Sequence, residues 1–469
     1  MIKPVILWTD ALIFLLVAVV VAFGLYARTK PHIRIPWLRV VRSRMGMGSL
    51  VVLTAFVLVG LLDSLHFRLP LADNGNQTEV HYSGEVLSLL DVVVGPLRTQ
   101  VEKTYSAPFA VHLFAKEMME QPDGTRRRDF PRLQYGGAHL ADPKERTGDI
   151  RARAAMGLVE AAFLGTLLLT GLGLWLGRRH RRDVVASVRD ILAGRTELPW
   201  NVFFWTTVVV LVLLMVAINL GSAYHILGTD KVGQDVLYQS LKSIRTGLVI
   251  GTLTTLVMLP FAILLGIMAG YFHGWVDDII QYLYTTLSSI PHVLLIAAAV
   301  LMLQVYMDVH PELFETMAER ADTRLLFLCI ILGITSWTGL CRLLRGESLK
   351  LREIDYIEAA TAFGVSNTSI ILRHILPNVM HIVLIAVVLD FSGLVLAEAV
   401  LSYVGVGVDP TMISWGNMIN RARLEMAREP MVWWSLMAAF LFMFTLVLAA
   451  NLFSDAVRDA FDPRLRERA

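Results

Sequence analysis

Few residues in this chain have the types and spacing for chemistry, and their pattern first excludes bond-making. Twelve histidines are scattered without an H-E-x-x-H, an H-x-x-E-H or a clustered pair, so no metal centre is expected. Cys329 and Cys341, the only cysteines, fall in or at the end of one apolar run and are not expected to form a disulfide framework or ligate a metal. No G-x-x-x-x-G-K-[ST] loop occurs, Gly405-Val406-Gly407 is too short to cradle a phosphate, and there is no nucleophile elbow. What remains is Asp390 and Glu398 inside an apolar run, where an ionised group needs a partner or a wet cavity. On a helix their spacing places them within about 80° of each other. The favoured reading for both is structural, through interhelical hydrogen bonding or, for Glu398, a place close to the outer surface; lining a translocation pathway that meets a cationic terminus is the alternative. No catalytic residue is expected.

A second constellation is polar. Glu358-Ala359-Ala360-Thr361-Ala362-Phe363-Gly364-Val365-Ser366, followed by Pro377-Asn378, lies between the apolar runs Leu325–Leu340 and Val379–Tyr403. The pattern predicts a short helix over Arg352–Phe363 with small alanines on one side. Gly364 supplies the positive φ of a tight turn, Ser366 N-caps a second helix over Asn367–Ile375, and Pro377 stops that helix and starts the next span. Such an arrangement is a rigid knob rather than a loop.

The elements that must hold these residues are membrane helices. Hydrophobic residues make up 55% of the chain and charged residues 17%, with a mean hydropathy of +0.58; a soluble domain carries about 25% charged residues. Runs long enough to cross about 30 Å of hydrocarbon occur near Val5–Ala27, Met47–Leu65, Ala155–Leu176, Val202–Leu220, Leu248–Gly270, Ile280–Val305, Leu325–Leu340, Val379–Tyr403 and Val432–Phe453. The first run lacks the basic flank and cleavage site of a signal peptide.

Loop charge orients the spans. Arg28, Lys30, Arg34, Arg39, Arg42 and Arg44 follow the first span without an acid, and Arg178, Arg179, Arg181, Arg182, Arg189 and Arg195 follow the third. Both loops are expected in the cytoplasm. That puts the N-terminus and the mixed-charge segment Arg68–Arg153 outside. The Glu358 hairpin and the tail with Arg458, Arg464, Arg466 and Arg468 fall inside.

Further motifs follow in order. His225-Ile226-Leu227-Gly228-Thr229-Asp230, with Gly233, Asp235 and Arg245, stands just after the fourth span. Glu398-Ala399, Leu401-Ser402-Tyr403-Val404-Gly405, Ser414-Trp415-Gly416, Asn451-Leu452-Phe453 and Arg458-Asp459 with Asp462-Pro463-Arg464 come later. Together with the hairpin, which resembles the EAA loop, these resemble permease subunits of the dipeptide, oligopeptide and nickel ABC importer family. The match runs from about Val202 to Arg464, with Ile226 where proline is usual and Gln234 where arginine is usual.

The resemblance implies an all-α polytopic membrane protein of the bacterial inner membrane. Its six-span permease core would cover residues 202–469, with a coupling hairpin at 346–378. The resemblance does not cover what precedes it, which the apolar runs and loop charge divide into a pair of membrane helices (1–66), an extracytoplasmic segment (67–154), and a third membrane helix with a basic linker (155–201). It further implies that Glu358 stabilises the hairpin while Thr361, Phe363, Val365 and Ser366 carry the contact with an ATPase. The implied partners are a homologous second permease, two ATP-binding subunits, an extracytoplasmic solute-binding protein and membrane lipids, with no nucleic acid. ATP and Mg would sit on the ATPase subunits and no cofactor on this chain. The expected cargo is short peptides or a related small solute, nickel being the alternative within the family. The competing class is an ion-coupled secondary transporter, which would require inverted repeats; a sensor fused to a transport core is a third reading.

Smaller features complete the expectations. Gly266 and Gly270 form a G-x-x-x-G suited to close helix packing, below Pro260. Asp277 and Asp278 are expected at a solvated helix start. In the outer segment Glu85–Leu97 and Phe109–Met119 have helical spacing, and Gln121–Arg132 reads as loop around Arg126-Arg127-Arg128. A chain beginning near Arg182 is expected to insert and assemble still.

Overall fold

The computed structural model describes residues 3–70, 82–120, 126–314 and 316–461. Outside them lie Gln121 to Thr125, with Pro122 and Gly124 of the expected loop. The tail from Asp462, with Pro463, Arg464, Arg466 and Arg468, also lies outside. Among the described residues nine helical stretches are long and apolar enough to cross a bilayer. Their helices are α1 (Trp8–Thr29), α2 (Arg44–Asp63), α3 (Arg146–His180), α4 (Trp200–Gly221), α5 (Val236–Phe272), α6 (His292–Val309), α7 (Met317–Ser336), α8 (Leu376–Val404) and α9 (Trp434–Phe461).

The expected span Ile280–Val305 is two helices. An amphipathic helix, Trp275–Ser289, ends at Ile290, whose ψ of 129° is extended, and α6 begins after Pro291. Proline lacks an N–H and forces the residue before it out of the helical region, so the run breaks there.

The chain forms two compact units. One comprises Met1–Val5, Leu38–Thr246 and Ile413–Leu452. In it α3 and α4 run antiparallel in close contact. A Cβ on Gly157 would lie 2.8 Å from the backbone of Val216, and one on Gly165 would lie 3.2 Å from the Val208 side chain. With the buried Ala161 between them, these small residues let the backbones meet.

The part of this unit between α2 and α3 is mostly irregular. Strands β1 (Lys3–Val5), β2 (His66–Arg68) and β3 (Leu87–Ser88) form an antiparallel sheet in that order. Two short helices, Leu89–Val93 and Gly95–Thr99, replace the single helix expected over Glu85–Leu97. Phe109–Met119 is not helical. The amides of Phe109, Leu113 and Phe114 donate to the carbonyls of His225, Pro131 and Tyr105 at 2.8–3.0 Å, so they have distant partners instead of the preceding turn. Its end belongs to a hairpin of β4 (Glu117–Glu120) and β5 (Arg126–Asp129), in register Glu117↔Asp129, so Arg126-Arg127-Arg128 is a strand rather than a loop.

The other unit comprises Ile6–Trp37, Gly247–Met412 and Phe453–Ala469. Its core gathers Met258, Ala262, Ile267, Tyr284, Leu344 and Val379. Gly266 and Gly270 press against the helix Thr338–Arg352, where a Cβ would come within 2.8 Å of Leu344 and 2.5 Å of Ser348. At the start of α1 the Thr9 amide donates to Asp322 of α7 at 3.1 Å, and the Thr9 hydroxyl binds the same carboxylate.

Candidate functional site

The 346–378 hairpin is built from the helix Thr338–Arg352, a second helix Asp355–Ala362 and a return helix from Asn367. Gly364, at φ +74°, ends the second helix in a Schellman turn. The Val365 amide donates to the Ala360 carbonyl at 3.1 Å and the Gly364 amide to Thr361 at 3.0 Å. No atom lies within 4 Å of a Cβ on Gly364, so its φ alone demands glycine.

Beyond the turn the chain departs from expectation. Ser366 occupies the N-cap position, but its side chain caps nothing. Pro377 does not stop the return helix, which runs on into α8 through a π-helical stretch, Ile371–Ile375. The wide turn accommodates the missing Pro377 N–H without a break.

The knob is rooted by Ile357, Ile370 and Ile375, all fully buried in the core. Asn378 donates to the Tyr356 hydroxyl at 3.0 Å and to the His374 carbonyl at 2.8 Å, tying the two arms at their base. Glu358, Ala359, Thr361, Phe363, Val365 and Ser366 are exposed, Ala360 half-buried, and Phe363 stands 88% exposed at the turn. The Glu358 side chain makes no hydrogen bond or ion pair among the described residues, while its amide donates to the Ile354 carbonyl at 3.2 Å. It sits with Asp355 in the first helical turn, where negative charge suits the helix dipole.

Asp277 is a helix start, but it is not solvated. It is buried and held in a fork by Arg345, whose Nε and a terminal nitrogen each lie 2.6 Å from a carboxylate oxygen. This pair, which the sequence reading missed, holds the Asp277 carboxyl below its ordinary range. It joins the helix Trp275–Ser289 to the helix that leads into the hairpin.

The second motif faces inward. His225 Nδ1 lies 2.8 Å from Asp235 Oδ2, and Nε2 faces Glu102 Oε1 at 3.5 Å, an ion-pair contact. Burial opposes a charge on His225, yet Asp235 and Glu102 hold its pKa up to about 9. Burial likewise opposes ionised Glu102, but His225 and the amides of Gly136, Gln134 and Tyr135 bring it down to about 2.

Asp235 also caps α5, accepting from the Leu237 and Tyr238 amides at 2.8 and 3.1 Å. Thr229 accepts from the Ser106 amide at 2.7 Å and donates to the Thr104 carbonyl at 2.9 Å. Asp230 accepts from the Val232 and Gln234 amides at 3.0 and 2.9 Å. Gly228 and Gly233 have positive φ and lie so close to Ser106 and Glu102 that a Cβ would fall 2.4 and 1.7 Å from their carbonyl oxygens. The motif is therefore a socket for the segment around Glu102–Ser106.

A neighbouring buried cluster went unread in the sequence. Lys242 of α5 binds Asp91 at 2.9 Å and approaches Asp63 at 3.4 Å. The Tyr238 hydroxyl donates to Asp91 at 2.7 Å and that of Ser88 to Asp63 at 2.7 Å. A lysine near the start of an apolar helix was the available signal.

Asp390 and Glu398 share α8, about 12 Å apart along its axis and out of each other's reach. Glu398 is buried and accepts from the Ser402 hydroxyl at 2.7 Å. Asp390 is half-buried, and its side chain makes no hydrogen bond or ion pair among the described residues.

Residues 262–467 match the family described as binding-protein-dependent transport system inner membrane component. The chain is 32% identical over 247 residues to the glutathione transport system permease protein GsiD of Pectobacterium atrosepticum, covering 52% of this chain and 74% of that protein. It is also 32% identical over 242 residues to the oligopeptide transport system permease protein OppC of Mycobacterium tuberculosis, covering 52% and 77%. With the dipeptide transport system permease protein DppC of Bacillus subtilis the identity is 29% over 245 residues, covering 52% and 70%. The nine apolar helices and these likenesses lead to one assignment: the chain belongs to the permease subunits of the dipeptide and oligopeptide ABC importer family, multi-pass membrane proteins that transport rather than catalyse.

Proposed function

We propose that this permease moves short peptides or a related small solute into the bacterial cytoplasm, driven by ATP that partner subunits bind with Mg and hydrolyse. The hairpin tip is the contact that receives the ATPase stroke. The observation that carries this reading is the Phe363–Gly364 turn, an exposed aromatic on a knob whose roots are buried. A conformational change passes only through a contact stiff enough to differ in energy between the two states.

Glu358 steadies the knob, while Thr361, Phe363, Val365 and Ser366 meet the ATPase. A second permease completes the pathway, and an extracytoplasmic binding protein delivers the solute. The His225–Asp235 motif serves this assembly from the outer face by fixing the outer segment. Asp390, with no partner of its own, is the better candidate of the two α8 carboxylates for meeting a charged solute. The N-terminus lies outside and the C-terminus inside.

The test is site-directed cross-linking in membranes. In a chain with Cys329→Ala and Cys341→Ala, Phe363→Cys should cross-link to an ATPase subunit and be protected from an impermeant thiol reagent in intact spheroplasts. Met118→Cys should be labelled from outside. Labelling of Phe363→Cys from outside would overturn both the orientation and the coupling role.

A further inference from the structure

The α3–α4 pair carries a groove that the transport reading leaves unused. Its apolar part is a cleft of about 560 Å³ walled by Leu164, Leu168 and Gly171 of α3 and by Thr207 and Leu211 of α4. A Cβ on Gly171 would meet nothing within 4 Å, so the cleft is open there. Leu164, Leu168, Gly171, Trp175 and Arg179 follow at i, i+4, i+7, i+11 and i+15, which keeps them on one face of α3. The distance from Leu164 to Trp175 is about 16 Å at 1.5 Å per residue, close to the roughly 15 Å of one leaflet's hydrocarbon.

That face leads into a second cavity of about 250 Å³ where α3 ends and α4 begins. This one carries charged groups that the first lacks, with bases in excess. Arg179, His180, Arg182 and Arg195 line it, together with Asp190 and Glu197. Arg182 takes up Asp190 at 3.3 Å, whereas Arg179 and Arg195 are exposed and have no carboxylate partner among the described residues. The Arg179 guanidinium lies over the Trp175 ring at 5.4 Å, and Trp175 meets Trp200 edge-on at 5.7 Å. Paired tryptophans mark the headgroup level of a bilayer, and guanidiniums beside them suit a phosphate.

We infer that the α3–α4 groove binds an anionic phospholipid, its phosphate held by Arg179 and Arg195 and one acyl chain lying along Leu164–Gly171. Positive charge at a membrane edge serves topology in any polytopic chain. The continuous path from an apolar cleft through a tryptophan pair into a basic cavity is what specifies a lipid with a charged head.

The experiment is native mass spectrometry of the full chain, purified in detergent with its accompanying subunits and incubated with phosphatidylglycerol or phosphatidylcholine. The parent should retain phosphatidylglycerol preferentially. Arg179→Gln with Arg195→Gln should lower that retention roughly ten- to thirtyfold, about 1 kcal/mol for each arginine. Gly171→Leu, whose side chain has room, should lower retention of both lipids while the protein elutes as the parent does. Equal retention of the two lipids by the parent would overturn the site. So would displacement of phosphatidylglycerol by inorganic phosphate with Gly171→Leu indistinguishable from the parent, which would mark a phosphate site without an acyl groove.

Discussion

Lys242 of α5 binds Asp91 of the helix Leu89–Val93 at 2.9 Å, with Asp63 from the end of α2 at 3.4 Å. One cation thus joins the end of α2 and the helix Leu89–Val93 to α5, the helix that follows the His225 motif. Burial works against an ionised Asp91, but Lys242, the Ser88 amide and the Tyr238 hydroxyl leave its carboxyl below its ordinary range.

Removing Lys242 leaves two buried carboxylates facing each other. Lys242→Met should lower stability by about 3 kcal/mol, the low end for breaking a buried pair, since the lysine retains some exposure. Asp63→Asn with Asp91→Asn, added to Lys242→Met, should return part of that loss. Thermal melting of the detergent-solubilised chain checks both. By the same physics a chain beginning at Arg182 loses Asp63, Asp91 and Glu102, which strands Lys242 and leaves His225 with Asp235 alone. It should therefore assemble poorly, against the expectation from motif positions, and Lys242→Met should improve its yield.

The contrast shows which parts of this protein were legible. The membrane helices could be read because a bilayer demands long apolar runs, and the Gly364 turn because only glycine takes its φ without strain. Glu102 and Asp277 were not legible. Each is an ordinary carboxylate in sequence, and only folding brings His225 or Arg345 beside it. Phe109–Met119 misled for the same reason, since helical spacing of apolar residues cannot reveal that the amides of Phe109, Leu113 and Phe114 are committed to other loops. Pro377 misled locally, because a π-helical stretch absorbs the lost hydrogen bond where a helix end was expected.

The socket around His225 should give the segment between α2 and α3 a pH window. The His225 pKa is raised to about 9 from 6.5, so its contribution is fully present below about 6.5 and lost as pH rises through 9. Glu102 is lowered to about 2 from 4.5, so its contribution is present above about 4.5 and lost as pH falls through 2. Protease resistance of residues 82–142 should be greatest between about pH 4.5 and 6.5. Toward pH 9 stability should decline by up to about 1.4 kcal/mol per pH unit, the contribution of one proton. His225→Gln should abolish the alkaline decline; an unchanged profile would mean that the triad does not hold the segment.

Gly364 separates backbone geometry from contact chemistry at the hairpin. Space around it is open, so substitutions there test only the positive φ that closes the Val365–Ala360 hydrogen bond. Alanine should cost about 1–2 kcal/mol of local turn stability, asparagine less, and β-branched valine more. The buried roots Ile357 and Ile370 are untouched, so all three variants should insert and melt like the parent. Solute uptake in membrane vesicles should then fall in the order glycine, asparagine, alanine, valine, while basal ATP hydrolysis by the partner subunits persists. Phe363→Ala removes the exposed ring without disturbing the turn and should uncouple uptake with the backbone intact. If valine at position 364 supports parental uptake, the turn does not transmit the stroke, and the contact must be sought elsewhere on the second unit.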